Sequence, residues 1–199
     1  MQKLFNKIFL ITAILLTSSF TYSVNTNPNK NDQHYLEQPV RKKDILDINS
    51  IKNKQLDISY APISEAQKLD IYLPDEKKEK YPVIIFIHGG AWMSGDKREN
   101  FSLPILRGLK EGYAVISINY RLSGEATFPA AIEDVKAAIR FIRANANKYN
   151  LDVEQITLFG RSSGANLATL AGVTSGTTKF DNPELGNSDV SSSVHTVVA

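Results

Sequence analysis

The stretch ITLFGRSSGANL, residues 156–167, decides how this sequence folds. The apolar run from Ile156 to Phe159 has the pattern of a buried strand, and from Ser163 onward Ala165, Leu167, Ala168 and Leu170 recur at helical spacing. Between them lies Gly160-Arg161-Ser162-Ser163-Gly164, a G-x-S-x-G pentapeptide at a strand-to-helix turn. Glycine on both sides of so sharp a turn has a steric purpose, because a Cβ at either position would strike the neighbouring strand or helix. Such a turn holds Ser162 above the sheet with its hydroxyl exposed and a helix N-terminus beneath it, as a nucleophile requires. The competing reading is a Gly-rich turn with a helix-capping serine, as in nucleotide-binding folds. Those loops need G-x-G-x-x-G or a terminal Gly-Lys pair, and neither is present.

Outward from this stretch, the same alternation repeats. Val83 to Ile87 is a continuous apolar run suited to a strand covered on both faces, and Ala114 to Ile118 is a shorter one. Leu103 to Glu111 reads as helical and closes at Gly112. A longer helix opens near Pro129, with Ala131, Ile132, Val135, Ala138, Ile139 and Ile142 on one side and Glu133, Lys136, Arg140 and Arg143 on the other. Gln55 to Tyr60 and Lys68 to Leu73 alternate, as expected of an antiparallel pair with one wet face. The order predicts an α/β fold, a mostly parallel doubly wound sheet with antiparallel N-terminal strands. After Gly172 a Gly-, Ser-, Thr- and Asp-rich stretch reads as loop to Ser193, and Val194 to Ala199 begins another strand.

His88-Gly89-Gly90-Ala91-Trp92 follows the most apolar strand directly. Acyl transfer passes through an oxyanion, which backbone N–H groups stabilise best where no side chain blocks their approach. Gly89, Gly90 and Ala91, together with the amide of Ser163 after the nucleophile, are therefore the candidate oxyanion hole. A plain strand-ending turn with a buried Trp is the alternative for this segment alone.

Together, HGGAW, Ser94-Gly95-Asp96-Lys97, Asn119-Tyr120-Arg121-Leu122, Phe128-Pro129-Ala130-Ala131 with Asp134, and GRSSGAN resemble the α/β-hydrolase superfamily. The likeness is to carboxylesterase/lipase members, of BD-FAE or hormone-sensitive-lipase type, over Gln55 to Ala199. It implies hydrolysis of a small-molecule carboxylic ester through an acyl-enzyme, with no cofactor and no metal. It also implies a sheet that runs on for further strands and helices, so the fold is expected to lack its last ones.

The superfamily orders its triad Ser, then Asp or Glu, then His. Of three histidines, His34 lies in a polar segment, His88 opens the glycine loop, and His195 falls in an apolar run; Asp181, Glu184 and Asp189 come too early for the acid. No triad acid or base is assignable, so the chain is expected to be a fragment, nearly inert alone. A non-catalytic binding protein of hydrolase ancestry, a prolyl-type peptidase and an arylformamidase remain alternatives.

The first 23 residues have a positive start at Lys3 and Lys7, an apolar core from Ile8 to Leu16 and a small polar end, the pattern of a signal peptide cut after Ser23 or Ser19. A nine-residue core is too short for a stable membrane anchor across a hydrocarbon layer of about 30 Å. Removing the segment takes the formal charge from +2 to 0, since it holds two lysines and no acid. The remaining charges are interspersed, which argues against nucleic acid as a partner. Residues 24–54 read as a polar linker or extension and 55–199 as a partial hydrolase domain, with an exported, periplasmic or secreted, location. There is no cysteine, hence no disulfide and no thiolate chemistry.

Overall fold

The computed structural model describes residues 47–99 and 103–199. The expected signal segment and most of the polar extension lie outside the described residues. Six strands form one mixed sheet: β1 (Lys54–Ser59), β2 (Lys68–Tyr72), β3 (Tyr81–Ile87), β4 (Ala114–Ile118), β5 (Leu151–Gly160) and β6 (Thr196–Val198), in the order β1-β2-β4-β3-β5-β6. β3, β4, β5 and β6 run parallel, while β1 and β2 are antiparallel to their neighbours. This is the expected α/β-hydrolase type of sheet with antiparallel N-terminal strands.

Strict alternation along β3 splits the interior in two. Val83, Ile85 and Ile87 face a core shared with helix α1 (Ala130–Ala144) and helix α3 (Ser163–Val173), which flank the short α2 (Ala146–Tyr149) in sequence. Ile84 and Phe86 face a smaller core closed by Ile105 and Leu106 of a 3-10 helix (Leu103–Glu111) and by Ile51. A strand covered on both faces has no use for polar side chains, which is why its sequence is continuously apolar.

Three sequence expectations need correction. The wet face of the first hairpin does not exist on β2, because that strand lies between β1 and β4 and both Asp70 and Tyr72 are buried. The extension expected to reach residue 54 joins the fold sooner: a 3-10 turn at Ile48–Ser50, capped by Asp47, leads into the buried Ile51. The polar side of α1 is not solvent-facing either. Lys136 and Arg140 are buried, because the loop after α3 crosses them and supplies acceptors. Lys136 Nζ donates to the carbonyls of Thr177 (3.1 Å) and Lys179 (2.5 Å), Arg140 Nη2 donates to that of Asn182 (2.9 Å), and Asp181 pairs with both cations at 3.3 and 3.0 Å. A buried cation without such partners would be prohibitive.

Candidate active site

The topology brings two loops together. β3 and β5 are adjacent and parallel, with Ile87 in register with Gly160, so residues 88 onward and 161 onward leave the same edge of the sheet. The chain then departs to β4 on one side of β3 and to β6 on the outer side of β5, which opens a crevice at the carboxyl ends of the two strands. The Arg161 N–H donates to the Ile87 carbonyl at 3.2 Å and ties the second loop to the first.

At the turn after β5, Ser162 is exposed and sits at φ 52°, ψ −119°, directly before α3. Such a conformation in a residue with a Cβ costs on the order of 1–3 kcal/mol and persists only where the surroundings enforce it. They do so through close backbone contact. A Cβ on Gly160 would lie 2.2 Å from the Gly164 carbonyl oxygen, and one on Gly164 would lie 2.2 Å from that of Ile87 and 2.4 Å from that of His88. The Ala165 and Asn166 amides donate to the Ser162 carbonyl, whereas Ser163 stands at the first helical position, where an amide has no intrahelical acceptor.

Gly89 packs directly against this turn. A Cβ built there would fall 3.2 Å from Ser162 Cβ and 2.9 Å from the Arg161 carbonyl oxygen. Gly90, Ala91 and Trp92 then follow at φ 112°, 53° and 59°, a left-handed turn closed by the Met93 and Ser94 amides on the Gly90 carbonyl, both at 3.0 Å. The structure thus brings together Ser162, Ser163 and Gly89, with Gly90 and Ala91 next in line.

His88 does not face this crevice as a base. Its ring is buried and stacks on Tyr120 with centroids 4.4 Å apart, and its Nδ1 lies 2.7 Å from the Gly89 carbonyl. Burial lowers its pKa below the ordinary imidazole value, keeping the ring neutral. The Tyr120 hydroxyl donates to the His88 carbonyl at 3.1 Å, so one side chain supports both the ring and the backbone of the loop. His195 lies directly before β6, exposed, its amide donating to the Ile156 carbonyl. Four residues of β5, about 13 Å of strand, separate that point from Gly160. Asp181 is engaged by Lys136 and Arg140.

Asp96, Lys97, Asn119, Arg121 and Asp134, which stand in the sequence only as family signatures, each have a structural partner. Asn119 accepts from the Lys97 amide (2.6 Å) and donates to Asp96 (2.8 Å), and Ser117 donates to the Lys97 carbonyl (2.6 Å). Arg121 grips Asp134 through Nε and Nη2, and Gln67 donates to the same carboxylate. Asp57, Asp70 and Arg98, which carried no motif, complete an ion cluster with Lys97. Their pairing joins residues dozens of positions apart and leaves no local pattern.

The BD-FAE family profile matches residues 69–199. Esterase LipQ of Mycobacterium tuberculosis is 41% identical over 117 residues, covering 58% of this chain and 28% of that protein, and the probable carboxylic ester hydrolase LipM of the same organism is 38% identical over 127 residues, covering 62% and 29%. The chain therefore spans under a third of the length of these curated relatives. Among solved structures, a bifunctional GH43-CE protein of Bacteroides eggerthii superposes with TM-score 0.69 at 44% identity, over 72% of this chain and 20% of that one. A truncated carbohydrate esterase from gut microbiota gives TM-score 0.69 at 38% identity, over 77% and 57%.

Proposed function

The chain belongs to the BD-FAE family of α/β-hydrolases, and from that premise we propose that it forms the nucleophile-bearing part of an exported serine carboxylesterase. Ser162 Oγ attacks the ester carbonyl, its proton passes to a base, and the alcohol departs to leave an acyl-Ser162 that water then hydrolyses. The Ser163 amide and those of the Gly89–Ala91 segment hold the oxyanion, where each donor is worth about 3–4 kcal/mol. The single observation that carries this reading is an exposed serine held at φ 52° against Gly89.

None of the described histidines is placed to take the proton from Ser162. His88 is stacked and bonded, and His195 is tied beside Ile156, four residues of β5 before Gly160. Neither the base nor its acid is assigned among the described residues. The two carbohydrate-esterase neighbours favour an acyl group carried on a saccharide as the substrate, and residues 1–23, read as an export signal, suit an extracellular or periplasmic glycan.

The test is direct. In the full-length enzyme, Ser162→Ala should lower hydrolysis of p-nitrophenyl acetate and of acetylated xylan by about a millionfold. It should also abolish labelling by a fluorophosphonate probe. Near wild-type turnover by that variant would reject the assignment.

A further inference from the structure

The glycine loop is latched from outside the crevice. Ten residues after the start of the HGGAW segment, Arg98 makes two parallel bonds to Asp70 in β2, Nε to Oδ2 at 2.5 Å and Nη2 to Oδ1 at 2.9 Å. Asp70 is fully buried and receives three further partners: the Asp57 amide (2.8 Å), the Tyr72 hydroxyl (3.1 Å) and Lys97 Nζ at 3.6 Å. Lys97 and Arg98 also bind Asp57 in β1, each at 2.7 Å. Two carboxylates from the antiparallel strands thus hold two consecutive cations of the loop that carries Gly89 to Ala91.

The loop needs such an anchor. Three successive residues at positive φ cannot hold themselves, and strain of this kind survives only when neighbouring structure over-determines it. Within the turn, the Met93 and Ser94 amides and the Ser94 hydroxyl donate to the Gly90 carbonyl, and the Ser123 N–H donates to the Trp92 carbonyl. The ion cluster then fixes where the end of the loop lies relative to the sheet. A bidentate Arg–carboxylate pair is the strongest and most directional side-chain contact available for that purpose.

On the proposed esterase reading, we infer that Asp70 is a positioning residue for the oxyanion hole: through Arg98 and Lys97 it sets the placement of the Gly89–Ala91 amides over Ser162, without touching substrate. Displacing oxyanion donors by a fraction of an ångström weakens transition-state binding and leaves ground-state binding nearly intact.

The experiment uses the full-length enzyme, comparing wild type, Asp70→Asn, Arg98→Gln, Arg98→Lys and Ser162→Ala. Asp70→Asn should lower kcat about ten- to a hundredfold with KM changed less than about threefold. Affinity for a trifluoromethyl ketone, whose adduct needs the oxyanion hole, should fall in parallel with kcat/KM. Fluorophosphonate labelling should go to completion, only more slowly. Arg98→Gln, which keeps Asp70 in place, should reproduce the split, and Arg98→Lys should restore part of kcat. Should Asp70→Asn fail to fold, Arg98→Gln carries the test, as it too removes the salt bridge, and Arg98→Lys serves as its charge-retaining control. If kcat and ketone affinity stay at wild-type level in folded Arg98→Gln, or if KM and kcat worsen together with no change in ketone affinity, the inference is overturned. A Ser162→Ala variant that retains activity would reject the esterase reading itself, a separate outcome.

Discussion

The two loops that meet at the crevice are built by opposite means. The turn around Ser162 is held by backbone against backbone, with Gly160 and Gly164 pressed onto the carbonyls of Gly164, Ile87 and His88. The loop from His88 to Glu99 is held by side chains reaching from β1, β2, β4 and the segment just after β4: Asp57, Asp70, Ser117, Asn119 and Tyr120. The first arrangement tolerates no added atom. The second should yield in steps, each lost bond moving the loop a little and leaving the sheet in place.

Gly164→Ala is the severest way to probe that difference. Its methyl would lie 2.2 Å from the Ile87 carbonyl oxygen at the end of the central strand, where close packing leaves no room for relaxation. The expected result is loss of the cooperative thermal transition or destabilisation beyond about 3 kcal/mol, read by calorimetry and circular dichroism. A variant that melts within a few degrees of wild type would show that the turn is no more rigid than its partner loop.

This difference also explains what the sequence made visible. A turn fixed by steric contact between near neighbours must spell its glycines in order, so the placement of Ser162 beside Gly89 followed from GRSSG and HGG. The alternation of Val83 to Ile87 likewise announced a strand with two covered faces. Contacts between distant polar residues leave no such trace. Asp70 reads as one of the wet positions of an alternating strand, yet it is buried under Arg98, 28 residues away. Lys136 and Arg140 read as the solvent side of a helix because nothing local reveals that residues 174–193 cross above them. Burial of a charge is decided by its partner, and the partner is a property of topology.

A milder probe acts on the side-chain-held loop alone. Tyr120→Phe removes the hydroxyl that donates to the His88 carbonyl and keeps the ring stacked on His88. Losing one buried hydrogen bond should lower stability by about 1–2 kcal/mol. Urea titration should show a shifted midpoint with an unchanged slope, since the loop shifts while the sheet stays folded. A change in slope, or a loss as large as that of Gly164→Ala, would mean that the two loops unfold as one unit.

Acid should loosen the same loop and leave the Ser162 turn untouched, with the smallest effect of the three. Hydrogen bonds from Lys97 and Arg98 lower the Asp57 carboxyl from 3.8 to about 2. A carboxylate whose folded pKa is depressed contributes stability that is complete above its unfolded value and is lost as pH falls through the folded one. The window is therefore about pH 4 down to pH 2. Because the Asp57 side chain is half exposed, solvent screens the pair and its share is a few tenths of a kcal/mol. Asp57→Asn should remove that slope: the melting temperatures of wild type and variant, distinct at pH 7, should converge by pH 2. If the gap between them is constant from pH 7 to pH 2, Asp57 is not linked to the cations, and the latch rests on Asp70 alone.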